Sequence, residues 1–323
     1  MRKLALATAA FIAISCASQA PASDYPSRPI TIIVPFAAGG PTDTLARRLS
    51  EHMSRTLGQH VLIENVVGAG GSIGVRRVVQ APADGYTVCL GNWSTHVVNG
   101  AIYKLDYDLV ADLKPVALLP SAPQLIVARS DLPANNLGEL IAWLRQHTAI
   151  IGTAGMGSAG HASAMLFEKE TGIQLSIVHY RGAGPAMIDL VGKHIDLLFD
   201  QSANSLPHVR EGAIKAFAVT SPARLASSPE IPTVDEAGLP EFYVAVWHGL
   251  WAPRETPDAV VEKLYSAVRA ALSDPALRRQ FADVGQTIPA PEQMSGNALA
   301  ALQRDEIAKW WPIIKAANVA AKQ

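Results

Sequence analysis

The 323-residue chain has only two cysteines, Cys16 and Cys89. Cys16 lies in a segment that reads as a removable leader, so the mature chain would keep one thiol and form no intrachain disulfide. Cys89 sits in a short apolar run and reads as a small buried hydrophobe. Neither sign of charge is in excess: Lys and Arg total 27 against 28 Asp and Glu. That balance gives no basic face for nucleic acid and no polybasic patch for a membrane. The longest apolar run, residues 4–14, falls short of the roughly 18 residues a membrane span needs. No G-x-x-x-x-G-K-[ST] loop is present, and the nine histidines show neither H-x-x-x-H nor Cys/His ligand spacing. No cofactor or metal is expected.

What is present is an apolar content of 49%, enough for a real core. Arg2 and Lys3, the run 4–14 and the small residues ending Ala20-Pro21-Ala22 form a secretory signal over residues 1–22, which predicts export to the periplasm. A lipoprotein signal ending at Cys16 is the competing reading, with Ala13 where a larger aliphatic residue is usual.

Twice an apolar run breaks into a glycine-rich loop and enters a helix, at residues 33–43 and 150–162. Gly58, Gly68 and Gly70 recur at one constant offset as Gly172, Gly182 and Gly184. Such repetition predicts two lobes built from similar βαβ units, each presenting a helix N-terminus at which an anion binds well. Strands are expected at 30–34, 60–65, 86–90, 150–153, 175–179, 195–200 and 216–220. Helices alternate with them, the first carrying Leu45, Leu49, Met53 and Leu57 on one face and capped by Thr42, Asp43 or Thr44. The fold class is therefore α/β, two mostly parallel sheets flanked by helices. Segments 116–129 and 242–253 lie outside the repeats and are expected to form a double-stranded hinge. Domain 1 is expected over 23–122 and 245–323, and domain 2 over 123–244, with helices near 260–272 and 275–285 returning to domain 1.

Gly155, Gly157 and Gly160 match G-x-G-x-x-G, but no acidic residue ends the following strand, so a dinucleotide site lacks its second signal. Ser158 between Gly157 and Gly160 resembles a nucleophile elbow, although Met156 replaces the first required glycine. An exported hydrolase using Ser158 is thus the alternative in a different class. The glycines alone suit tight turns; two such loops in matching positions suit an anion clamp. Thr42, Asn92, Thr95 and Ser158 are polar side chains near these loops. His161 is either a ligand donor or a surface residue, and Asp200 either accepts from a ligand hydroxyl or amine or caps the next segment. Tyr180, Trp93, Trp247 and Trp251 either line the cleft or pack in the core.

Several motifs in order also resemble the Bug/TctC family of periplasmic binding proteins: Tyr25-Pro26-Ser27-Arg28-Pro29-Ile30, Val34-Pro35-Phe36-Ala37-Ala38-Gly39-Gly40 with Asp43, Glu64-Asn65 before Gly68-Ala69-Gly70-Gly71, Tyr180-Arg181-Gly182-Ala183-Gly184-Pro185, and Ile231-Pro232-Thr233-Val234-Asp235. The resemblance implies a monomeric Venus-flytrap receptor that binds a small carboxylate and serves a membrane transporter or sensor, and is not an enzyme. It implies that Phe36, Ala38, Gly39, Gly40, Thr42 and Asp43 in the first loop, and Gly157, Ser158 and His161 in the second, grip the ligand. Gly39, Gly40, Gly157 and Ser158 are expected to offer N–H donors, Asn92, Thr95 and Arg181 to orient the ligand, and Asp200 to select it. Trp93, in a loop where the family has smaller residues, would favour a flat aromatic acid if it faced the cleft.

Overall fold

The computed structural model describes residues 25–316, so the expected signal segment and the alternative at Cys16 lie outside the described residues. Strand β1 (Ile30–Val34) is almost wholly buried and pairs in parallel with β2 (Val61–Asn65) and β3 (Thr87–Asn92). Its continuous aliphatic run suits a strand covered on both faces. Between β1 and β2 runs α1 (Pro41–Leu57), which buries Leu45, Leu49 and Met53 and stops at Gly58 in the left-handed region, φ 66. The N-cap is Gly40, not Thr42, Asp43 or Thr44. Pro41 occupies the first helical position, where a missing N–H costs nothing, and so fixes the start ahead of the side chains expected to cap it.

After α2 (Ser72–Val79) and β3, residues 94–98 make a π-helical turn leading into the short α3 (Asn99–Ile102). The next strand, β4 (Leu113–Arg129), runs for 17 residues through Pro115, Pro120 and Pro123. Next come α4 (Leu137–Leu144), β5 (Ile150–Thr153), α5 (Ala159–Thr171), β6 (Ser176–His179), α6 (Ala183–Val191), β7 (Leu197–Gln201), α7 (Ser202–Arg210) and β8 (Ile214–Val219). The chain closes with β9 (Ala245–Pro253), α8 (Asp258–Ser273), α9 (Pro275–Asp283) and α10 (Gly296–Ala316).

The strand order is β2-β1-β3-β9-β4-β7-β5-β6, with β8 also on β4. In the first lobe, β1 lies between its parallel partners β2 and β3, then comes antiparallel β9, and β4 beyond it. In the second, β5 lies between parallel β6 and β7, then comes antiparallel β4, and β8 beyond it. Each lobe is thus completed by a strand arriving from the other. The first part of β4 pairs with β9 as far as Pro123 against Ala245, and the last part, from Gln124, pairs with β7 and β8. The register shifts between Leu119 and Ala122, where Pro120 cannot donate to the ladder and a bulge absorbs it.

Each lobe has apolar clusters on both sheet faces. In the first, α1, α8 and α9 cover one face with Leu49, Leu264, Val268 and Phe281, while α2, the π turn and α10 cover the other with Val75, Val97 and Leu299, packed with Trp251 of β9. In the second, Phe167, Phe199, Phe217 and Phe242 fill one side and Met187, Leu190 and Leu206 the other. Cys89 is buried and free, and burial pushes its thiol up. Helix α10 has no counterpart in the sequence expectations. Pro312 lies inside it, and polar bonds add to its apolar packing: Gln303 Nε2 donates to His96 O and Leu109 O, and Trp311 Nε1 to Val97 O. Among the described residues no helix is long and apolar enough to cross a membrane, and no group of three His, Cys, Asp or Glu is placed to hold a metal ion.

Candidate functional site

The two lobes face each other across a cleft that holds roughly 560 Å³ of space free of protein atoms, part of it open to solvent. It lies beyond the C-terminal ends of β1, β3, β5 and β7, where α/β sheets place ligands. Three helices begin at its wall, represented by Pro41 and Thr42 of α1, Ala159 and Gly160 of α5, and Ala183 of α6. The first N–H groups of a helix have no intrahelical acceptor and carry the positive end of its dipole. Their convergence makes the cavity attractive to an anion without a basic side chain.

The first loop is held by Asp43, whose carboxylate accepts from Gly39 N at 3.0 Å, Arg47 Nε at 2.9 Å and Asn65 Nδ2 at 2.9 Å. Burial alone would push this carboxyl up, but the bonds from Arg47, Gly39 and Asn65 outweigh it and hold the group below its ordinary value. Asp43 and the Gly39 N–H therefore shape the loop and are engaged with each other, contrary to the expectation that Gly39 offers its N–H to a ligand. Gly40 and Phe36 line the cavity; Ala38 and Gly39 are exposed outside it.

The second loop is held by neutral bonds. Ser158 caps α5, its Oγ accepting from His161 N at 3.2 Å, while Ser158 N donates to Gly155 O at 3.0 Å. Gly157 N donates to His161 Nδ1 at 3.1 Å. The N–H groups of Gly157 and Ser158 thus also have partners within the loop, and Gly160 and Ala159 are the positions that border the cavity beside the Ser158 side chain. Ala159 N reaches across to Ser94 Oγ at 3.1 Å. Burial, then the neighbouring His179, pushes the His161 imidazole down to about 4, so it is neutral near pH 7. The ring does not bond Ser158 Oγ, and the serine has the geometry of a helix cap, not of a nucleophile with its base. Gly160 permits the close approach: a Cβ there would lie 2.7 Å from Phe199 O.

Thr42, Asn92 and Asp200 also belong to the polar lining. Asn92 Nδ2 donates to Thr42 Oγ1 at 3.3 Å, and Thr42 Oγ1 lies 3.3 Å from His248 Nε2, whose Nδ1 is 2.9 Å from Pro120 O. Since a carbonyl only accepts, Nδ1 carries the proton. Asp200 Oδ2 accepts from Asn204 Nδ2 at 2.6 Å and Ser205 Oγ at 2.9 Å. Burial pushes its carboxyl up to about 6 despite those bonds.

Of the other expected residues, Thr95 is fully buried, its hydroxyl spent on Asn92 and His96. Arg181 is exposed; its carbonyl accepts from Ala37 N across the lobes at 3.0 Å, and it borders a separate crevice with Tyr180. Trp93, Trp247 and Trp251 do not line the cavity. Trp93 packs edge-on against Trp310 and Trp251 stacks on His96, so the lean toward an aromatic acid loses its support. The aromatic lining comes instead from Phe36 and Phe199.

The sequence reading missed Gln124, Thr153, Ser94 and Gln201 in the wall. Gln124 carried a signal: an amide inside an apolar run, buried with its Oε1 accepting from Ser163 Oγ at 2.5 Å. Thr153 and Gln201 close β5 and β7, where the strand-end rule points.

The chain is similar to known proteins along most of its length. The family model described as tripartite tricarboxylate transporter family receptor, TctC, matches residues 45–319. A protein encoded in the TAR-I ttuE-ttuC' intergenic region of Agrobacterium vitis is 41% identical over 84% of this chain and 79% of its own length. Protein BugT of Bordetella pertussis is 33% identical over 98% and 97%. Among solved structures, the periplasmic binding protein BugD is similar with a TM-score of 0.88 at 37% identity, covering 92% of this chain and 100% of that one. MatC from Rhodopseudomonas palustris with bound malate gives 0.86 at 40%, covering 90% and 100%. An R. palustris protein with adipate gives 0.87 at 33%, covering 92% and 99%.

Proposed function

Since the chain belongs to the TctC family of tripartite tricarboxylate transporter receptors, which are periplasmic solute-binding proteins, we propose that it captures a small carboxylate between its lobes and presents it to a membrane transporter or sensor. The observation that carries this reading is the convergence of three helix starts on one cavity whose lining, among the described residues, holds no basic side chain. A carboxylate there would be gripped by main-chain donors, the way anions bind at helix N-termini. Malate and adipate in the related R. palustris structures support the same ligand class.

Within this reading Phe36, Gly40, Thr42, Asn92, Ser158 and Asp200 are ligand contacts. Gly39, Asp43, Thr95, Gly157 and His161 hold the loops, and Ala38 and Arg181 belong to the rim. Residues 1–22 act as the export signal, and the lobes divide as 23–122 with 245–323, and 123–244. The strand exchange at β4 and β9 supports that division.

A thermal-shift panel of mono-, di- and tricarboxylates tests the function. A ligand at 100 times its dissociation constant adds about 2.7 kcal/mol to a protein that binds it only when folded, visible as a raised Tm. A panel without a single shift, on protein refolded to remove any carried ligand, overturns the reading. Intact mass of the exported protein tests cleavage after Ala22 against lipidation of Cys16.

A further inference from the structure

The geometry points to a ligand that carries a hydrogen-bond donor, a hydroxyl or an ammonium group, beside its carboxylate, with Asp200 as the residue that selects it. This rests on the carboxylate reading and narrows its ligand class. Among the described residues bordering the cavity, Asp200 is the only one with an ionisable side chain. It is 5% exposed, and both side-chain donors, Asn204 Nδ2 and Ser205 Oγ, go to Oδ2. Among the described residues no side chain donates to Oδ1, and the one further bond to the carboxylate comes from the Gln201 main chain. A ligand with acceptors alone would set a negative oxygen against this buried carboxylate, where like charges repel strongly.

The opposite wall has the same polarity. His248 is neutral and protonated on Nδ1, which donates to Pro120 O, so its Nε2 can only accept. The hydrogen bond between Thr42 and that nitrogen must then use the threonine proton, while Asn92 Nδ2 donates into the same hydroxyl oxygen. What Thr42 retains for the cavity is a lone pair. One lobe thus offers a hydroxyl acceptor and the other a carboxylate acceptor, while the N–H groups at the helix starts serve the ligand's own carboxylate. A plain diacid satisfies the last and neither of the first two; a hydroxy or amino acid can satisfy all three.

The test is isothermal titration at pH 7.5 with matched acids: succinate against malate and aspartate, glutarate against glutamate, and tricarballylate against citrate. In the wild-type protein at least one acid bearing a donor should bind tenfold or more tightly than its plain counterpart. Asp200→Asn keeps an acceptor for Asn204 and Ser205 and should collapse that ratio toward one, more completely for an ammonium than for a hydroxyl. The wild-type ratios stand as a test even if the variant fails to fold. Plain acids binding as tightly as their donor-bearing partners in every pair, or a ratio untouched by Asp200→Asn, overturns this inference and leaves the carboxylate receptor intact. Absence of binding by every acid overturns both.

Discussion

The two glycine-rich loops occupy matching places in the two lobes and deliver a helix start to the same cavity, yet almost no side-chain chemistry is shared between them. The first is drawn tight by one buried carboxylate, Asp43, acting on Gly39, Arg47 and Asn65. The second is closed by Ser158 and the neutral ring of His161. What the repeat preserves is a main-chain outcome, a helix N-terminus at a strand end, and each copy reaches it with a different lock. An ionic lock and a neutral one fail under different conditions, and that difference can be measured.

The largest effect should come from Asp43→Ala. It strips three donors of a common acceptor, and hydrogen bonds to charged groups are worth about 1.5 to 3 kcal/mol each. Arg47 is half exposed and can turn to water, so a net loss of about 2 to 3 kcal/mol in urea unfolding is expected. A loss below about 0.5 kcal/mol, the ordinary scatter of surface substitutions, would show that the loop does not depend on its carboxylate. The contribution of Asp43 is present above the ordinary carboxylate value and is lost as the pH falls through its depressed folded value.

On acidification the second loop should weaken before the first. His161 has its folded value lowered to about 4 by burial and His179, against roughly 6.5 in an unfolded chain. Stability tied to its neutral form is complete above roughly 6.5 and drains away down to about 4, with a slope of at most about 1.4 kcal/mol per pH unit. His161→Asn places an amide oxygen where Nδ1 accepts from Gly157 and cannot titrate, so the stability of the wild type relative to this variant should fall across that window. Parallel pH profiles for the two proteins would break the contrast between the loops. The smallest effect is expected for Ser158→Ala, a lost cap of about 1 kcal/mol that does not itself titrate. A loss as large as that of Asp43→Ala would mean that the serine does more than cap.

Much of this architecture was legible because backbone rules write themselves into sequence. The aliphatic run of β1, the spacing of Leu45, Leu49 and Met53, and Gly58 and Gly172 as stops all located elements to within a few residues. The positions of the loops at the cleft were legible for the same reason. Which groups in them were free was not, because a hydrogen bond such as Gly157 N to His161 Nδ1 or Gly39 N to Asp43 depends on how the loop closes, and spacing alone does not reveal it. Trp93 was hidden differently: its neighbour Trp310 lies far away in sequence on a helix that carried no clear periodic signal. His248, fully buried in β9 and central to the polarity of Thr42, looked like any residue in an aromatic-rich strand.

Strand β4 belongs to both sheets at once, and this constrains how such a protein can be recombined. A lobe cut out at the crossing would take half a strand with it and leave raw ladder edges on both fragments, invitations to aggregate. Chimeras between relatives should therefore tolerate exchange of the βα units that carry the loops, whose borders lie at strand ends, far better than exchange of a whole lobe. The loops can travel with their βα units, but ligand preference also needs Asp200 at the end of β7 and His248 in β9; the paired strands that cross between the lobes must be inherited together.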